Sequence, residues 1–251
     1  MNSDRPTRFS APLGSFDRGL FEVMSGATNL RLQATAPAGY RDAEVLAEGS
    51  FHGRVPEVRV DGHRVRLFYR QSFRDLCLDW RSASAEVALS PLVPWDVLVR
   101  GGVSCLDADL AALRLASLEI SGGVSEARVR LPRPTGTVRV FVLGGVSQLV
   151  LSRPAGVPLE VSIHGGASGL QVDTLGLGAV GGGFHWETPG FAEAAGRYVI
   201  EIHGGLSDAR IGSFGDDARP ATSATSATSG GSSRSAASMG DGIVGAAAAA
   251  R

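Results

Sequence analysis

The chain has 251 residues, 43% hydrophobic and 20% charged, with a formal net charge of −1. That length suffices for one sizeable core with appendages. The near-neutral charge argues against a nucleic-acid or anionic-membrane partner reached by bulk electrostatics. All 24 basic residues are arginine, and they are spread along the sequence rather than clustered as phosphate recognition would need.

In chain order, residues 1–14 read as a flexible N-terminus without the apolar core of a signal peptide. Residues 15–215 read as one β domain. Its early part carries strand signals with a less regular repeat, including "VRVDGHRVRLFYR" (58–70), where Asp61-Gly62 between alternating runs predicts a hairpin. The two cysteines, Cys77 and Cys105, are too few for a secreted disulfide framework and fit a reducing compartment. No stretch reaches the roughly 18 apolar residues that span a bilayer. A cytoplasmic protein is the expectation, with no direct membrane insertion.

A repeat dominates the rest. Doubled glycines stand at Gly101-Gly102, Gly122-Gly123, Gly144-Gly145, Gly165-Gly166 and Gly204-Gly205, at spacings of 21, 22, 21 and 39. Ser25-Gly26 begins a sixth copy, and the long last interval suggests a degenerate unit between the final two. Two residues after the second glycine come Thr28, Ser104, Ser125, Ser147, Ser168 and Ser207. Apolar residues alternate on both sides, as in Val140 and Val142 before the corner and Leu149 and Leu151 after it. Period two with β-branched enrichment means strand. The glycines mark corners where positive φ or close backbone approach excludes a side chain. "PRPTG" (132–136) and "RPAGVP" (153–158) supply second turns.

A period near 20 residues predicts an all-β fold, a single-stranded right-handed parallel β-solenoid with rungs of about 20–22 residues and Gly-Gly corners. Its serines and threonine would form a ladder beside the corner. The alternative is an antiparallel β-sandwich whose hairpins share a turn motif. Trp80, Trp95 and Trp186 read as core plugs or end caps. "LAALRLASLEI" (110–120) imitates a leucine-rich repeat once and reads as core spacing within the array. From about Asp216 the chain turns to "ATSATSATSGGSSRSAAS", so residues 216–251 read as a disordered Ala/Thr/Ser/Gly-rich tail.

Little points to chemistry. "GLGAVG" (176–181) matches a dinucleotide fingerprint, but a helix would have to open at its glycines, and "GGFHWETPGF" follows. His164 and His203 each precede a doubled glycine. Two rungs apart they would lie roughly 10 Å from one another, too far to share a metal with bonds near 2 Å. His52, His63 and His185 have no ligand-spaced companions. The serines recur too regularly to be nucleophiles. Asp107, Asp109 and Glu126 face outward, where neighbouring acids could act as the paired carboxylates of a glycosidase; nothing marks a cleft, and a solvated charged face with Arg128 and Arg130 beside it is the ordinary reading. No catalytic residue, cofactor or metal is therefore expected. Phe141, Leu143 and Val150 break the outward polar rule and form a candidate interaction patch.

The repeated "GGVS", "GGAS" and "GGLS" corners with their alternating strands resemble the toast-rack, or "putative-adhesin", β-solenoid domains of Lia-type bacterial cell-envelope stress proteins. The likeness covers residues 15–215. It implies β-strand rungs, no catalytic residues and a role peripheral to the envelope, although that family often carries a membrane anchor and no such stretch occurs here. The expected function is a non-enzymatic interaction or scaffolding module with a protein partner or self-association. The alternative is a carbohydrate-binding or carbohydrate-active β-helix, and no nucleic-acid partner is expected.

Overall fold

A computed structural model describes residues 7–35, 45–69 and 83–214. Cys77, Trp80 and the segment 216–251 lie outside them. Every regular element among the described residues is a strand. The early strands are β1 (Thr7–Pro12), β2 (Gly19–Val23), β3 (Ala27–Ala34), β4 (Val45–Gly53), β5 (Glu57–Asp61), β6 (Arg64–Phe68) and β7 (Ala83–Leu89). The middle of the chain gives β8 (Pro94–Val99), β9 (Val103–Asp109), β10 (Arg114–Ile120), β11 (Val124–Arg130), β12 (Thr137–Val142) and β13 (Val146–Pro154). The last are β14 (Leu159–Ile163), β15 (Ala167–Val172), β16 (Leu175–Val180), β17 (Phe184–Glu187), β18 (Arg197–Ile202), β19 (Leu206–Ser207) and β20 (Ala209–Phe214).

Each corner joins a strand of one sheet to a strand of another. The nine-stranded sheet runs β17-β14-β18-β12-β10-β8-β2-β6-β5. The second sheet runs β1-β4-β7-β3-β9-β11-β13-β19-β15-β16, with β20 also pairing β13 and β15. Equivalent strands of the motif copies pair in parallel and in register. Leu118 faces Val97 and Val140, and Ala127 faces Leu106 and Leu149. Like therefore stacks on like. Val23, Val99, Ile120, Val142, Ile202 and Ile163 form one fully buried column, and Leu30, Leu106, Ala127, Leu149, Ala209 and Leu170 another. Both columns belong to a single contiguous core shared by the two sheets. At roughly 1.5–3 kcal/mol for each large buried aliphatic side chain, these columns are the main stabilising term.

The corner glycines are required for approach, not for φ. None of them has positive φ. A Cβ on Gly101, Gly122, Gly144, Gly204 or Gly165 would fall under 3.0 Å from the backbone of the neighbouring corner: Ser25, Gly101, Gly122, Gly144 and Gly204 respectively. The second glycine of the pair is unconstrained, with nothing within 4 Å of a Cβ on Gly123, Gly145, Gly166 or Gly205. Its carbonyl instead continues the ladder, accepting from the preceding unit's amide, as Gly145 does from Val124 at 2.9 Å. In the copy at Ser25-Gly26 a serine takes the first glycine's place, and its hydroxyl accepts a hydrogen bond from the Tyr69 amide.

The two sheets are mixed, and this departs from the simple parallel array expected. Antiparallel strands close both ends. β4 and β1 lie beyond β7, β5 lies beyond β6, β16 lies beyond β15, and β17 lies beyond β14. The rung order also differs from the chain order. The β8/β9, β10/β11 and β12/β13 units stack in sequence, but β2/β3 sits between β6/β7 and β8/β9. The last unit, β18 to β20, is inserted between β12/β13 and β14/β15. The interval of 39 therefore holds a degenerate unit run in reverse, whose corner glycine Gly182 sits so close to the next corner that a Cβ there would lie 2.7 Å from the His164 carbonyl oxygen. That unit is the antiparallel strands β16 and β17, after which the chain turns back.

Other expectations shift locally. The N-terminal segment expected to be flexible contains β1, paired with β4 from Thr7↔Phe51 onward. The hairpin predicted at Asp61-Gly62 turns one residue later. Asp61 pairs with Arg64, and Gly62, with φ of 58°, shares the loop with His63. "GLGAVG" forms β16 and runs through Gly182-Gly183 into β17, so the helix a dinucleotide site needs is replaced by strand. Trp95 lies mid-array, fully buried, with its indole N–H donating to the Ser90 carbonyl at 2.8 Å. Gly19 makes room for it, since a Cβ there would sit 2.7 Å from the ring. Trp186, half-buried on β17, packs against the core at one end.

One buried charge ties β13 to the turn that follows β15. Arg153, 5% exposed, forms a two-point ion pair with Asp173 at 2.8 Å per contact, and its Nε donates to the Val157 carbonyl.

Two predictions follow from corner and charge. Gly122→Ala should destabilise the protein by about 2–4 kcal/mol, because the neighbouring backbone cannot give way, while Gly123→Ala should change stability by less than about 0.5 kcal/mol. Asp173→Asn should cost about 2–3 kcal/mol by leaving the Arg153 guanidinium buried against a neutral partner. Urea unfolding followed by circular dichroism checks both.

Candidate functional site

The serine column occupies the outside of the corner. Strict alternation from Leu106, Ala127 and Leu149 would turn Ser104, Ser125 and Ser147 inward. The strands instead break parity. Val103, Val124 and Val146 take the inward position, and two consecutive residues then face out, as in Ser125-Glu126 and Ser147-Gln148. Ser104, Ser125, Ser147, Ser207 and Ser168 are all exposed, and Ser168 pairs directly with Ser207. In the last two units the parity break becomes a left-handed residue, with φ of 52° at Asp208 and 62° at Gly169. A Cβ on Gly169 would meet the Asp208 carboxylate at 2.7 Å, so the two bulges are fitted to one another. A shallow depression runs along Gly123, Ser125, Gly145, Ser147, Gly205 and Ser207.

The outer face of the second sheet is a charge ladder. Glu86, Arg31, Asp107 and Arg128 occupy one register on β7, β3, β9 and β11, so charges alternate across strands. Arg31 lies 3.7 Å from Glu86 and 3.3 Å from Asp107. Arg130 lies 3.0 Å from Asp109, and Arg128 pairs with Glu126. The three acids singled out in the sequence are thus each matched by an arginine, the arrangement of a solvated face. The other sheet carries one deeply placed acid. Glu22, 5% exposed, accepts from the Arg66 Nε at 2.7 Å, with Arg64 at 3.8 Å and Arg100 at 4.0 Å.

The candidate patch divides. Phe141 lies on β12 and Leu143 at the end of that strand, beside the corner; Val150 lies on β13 in the other sheet. Leu143 is 44% exposed and Val150 43% exposed, whereas Phe141 is half-buried. Val150 has its own account, because it stands in register between Arg128 and Arg210 and separates two like charges. Next to it, Gly169 and Gly176 withdraw side chains from the surface. The resulting groove is lined by Gln148, Val150, Gln171, Asp208 and Arg210.

The two histidines before doubled glycines come together, against the expected separation of two rungs. Insertion of β18 beside β14 puts Glu201 opposite Ser162 and Ile202 opposite Ile163. The next residues, His203 and His164, stack with ring centroids 4.5 Å apart and planes 16° from parallel. That is the spacing of adjacent strands. His203 Nε2 lies 3.6 Å from a Glu201 carboxylate oxygen. His164, Glu201 and His203 each offer one ligand atom within 4.8 Å of the others. On the next strand out, His185 Nδ1 lies 3.2 Å from the Ser162 hydroxyl and 3.8 Å from Glu160. Sequence reasoning missed this cluster because its members are 39 positions apart, and only the rung order makes them neighbours.

Burial pushes the Tyr198 hydroxyl well above the usual phenol range, and it donates to the Pro132 carbonyl at 2.6 Å. This is a core hydrogen bond on the inner face. No helix among the described residues is long and apolar enough to cross a membrane.

No protein-family model matches the chain, and no curated protein matches it in sequence. Its structure is similar to that of "a putative cell adhesion protein" from Clostridium sporogenes ATCC 15579. That alignment has a TM-score of 0.62 at 14% identity and covers 84% of this chain and 100% of the other. A "putative adhesin" from Bacteroides fragilis NCTC 9343 aligns over 84% of this chain and 98% of its own, at 8% identity and a TM-score of 0.27, too low to carry an argument. At these identities the first likeness establishes a shared all-β fold.

Proposed function

We propose that the chain is a non-enzymatic β-solenoid that serves as an interaction or scaffolding module of the adhesin type. Its partner is a protein or a second copy of the same chain, met on the rigid outer faces of the ladders. One observation supports this reading above the others. Six motif copies hold equivalent residues in register, so each outward position becomes a column repeating at about 4.8 Å. Such a surface binds by matching spacing and needs no cleft. The parallel pairing of the copies favours a solenoid over a sandwich, with the antiparallel strands acting as its end caps. A location in the cytoplasm or at the periphery of the envelope belongs to the same proposal; the link to envelope stress rests on corner-motif likeness alone.

A second reading is favoured by the groove beside Val150. There Gln148, Gln171, Asp208 and Arg210 converge over a floor cleared by glycine. Amides and charged groups of both signs suit sugar hydroxyls. Glycan binding lost on Gln171→Ala, without loss of fold, would favour it over the protein-partner reading.

Phe141→Ser with Leu143→Ser tests the protein-partner reading. Leu143 is exposed and Phe141 half-buried, so the fold should persist with unchanged far-ultraviolet circular dichroism. Self-association followed by sedimentation should weaken by about tenfold, roughly 1.4 kcal/mol. Identical sedimentation of variant and parent across the concentration series would remove this face as the contact.

A further inference from the structure

We propose that His164, His203 and Glu201 form a three-ligand site for a divalent transition cation of the zinc class, with a fourth position open to solvent. The inference is independent of the adhesin reading and would survive its failure.

The argument starts from register. β14 and β18 are parallel neighbours, with Ser162 opposite Glu201 and Ile163 opposite Ile202. Residues at matching positions on adjacent strands stand about 4.8 Å apart, so His164 and His203 must lie side by side, and their rings stack at 4.5 Å. Residues two apart on one strand share a face. Glu201 therefore rises on the same side as His203, with its carboxylate 3.6 Å from the ring nitrogen Nε2.

The donor atoms lie within 4.8 Å of one another. A tetrahedral zinc with bonds of about 2.0–2.1 Å holds its ligand atoms roughly 3.4 Å apart. The His203–Glu201 separation is already near that value. The remaining gap closes by small side-chain rotations, which are accessible because both histidines are exposed and Glu201 is only half-buried. The ladder beneath need not move.

The donor set fixes the class of ion. Two imidazoles and one carboxylate suit zinc, nickel, cobalt or copper(II), whereas magnesium and calcium prefer all-oxygen shells. Three protein ligands with an open position is the composition of an exchangeable site rather than a closed structural one. The other copies do not repeat it. The two positions hold Glu22 and Met24, Leu98 and Arg100, Glu119 and Ser121, and Phe141 and Leu143 in the remaining rungs. The cluster exists only where the last unit is inserted against β14.

The test uses the full-length chain without a purification tag. Zinc chloride is titrated by calorimetry, and cobalt(II) is followed by its visible absorption. The expected result is about one equivalent bound, with cobalt absorption of the intensity typical of four-coordination. His164→Ala and His203→Ala should each weaken zinc binding by at least about tenfold. Glu201→Gln should weaken it by a smaller factor, and His52→Ala with His63→Ala should leave it unchanged. Zinc should raise the Tm of the parent and leave that of the His164→Ala/His203→Ala variant unmoved, with circular dichroism showing that the variant is folded. No binding by the parent at about 100 μM metal, or binding equally strong in the double variant, would overturn the proposal. Magnesium competing as well as zinc would also overturn it.

Discussion

The fold depends on a contact between backbones. At each corner a carbonyl oxygen of one unit occupies the space where a Cβ of the next would stand, from Gly101 against Ser25 through Gly165 against Gly204. Only glycine permits this approach. It lets the corner join the ladder instead of interrupting it, so amide-to-carbonyl bonds run on from strand through turn to strand. Val99, Ile120, Val142 and Ile202 each accept from two successive corner amides of the neighbouring unit. Once the corners are held at strand spacing, the registers of both sheets follow, and the aliphatic columns stack without further specification.

This explains what was legible in the sequence. The first corner glycine in five copies, and the alternating apolar positions and the Ser/Thr residue beside the corner in six, are local features, and each marks a corner or strand where its pattern implies. Leu110, Leu113, Leu115 and Leu118 are all buried, so the apparent leucine-rich repeat is core spacing. Neighbour relations were illegible. Strand pairing is decided by complementary register, and a repeat offers several nearly equivalent partners. Nothing in the spacing of 39 shows that its middle unit, β16 and β17, runs in reverse, or that the last unit inserts on the other side of β14 and β15. The parity break at the serines was visible in Val103, Val124 and Val146, yet a strict period of two hides it.

The outer faces obey a second constraint. A parallel in-register ladder places identical positions beside one another, and like charges there would repel at about 4.8 Å. The sequence varies these positions while keeping the inner ones constant. Glu86, Arg31, Asp107 and Arg128 alternate in sign across four strands, and Val150 takes the place where a further arginine would have faced another. The histidine pair departs from this scheme, since the same residue occupies the same position on adjacent strands.

The inserted last unit has a bearing on how the chain is made. β12 and β14 belong to consecutive units joined by a short connection, yet they are separated by the width of β18. A slot one strand wide must be kept, or reopened, until a segment synthesised some forty residues later slides in from the side. Until that segment is available, β12 and β14 either pair with each other and must later part, or keep open edges that another chain could pair with.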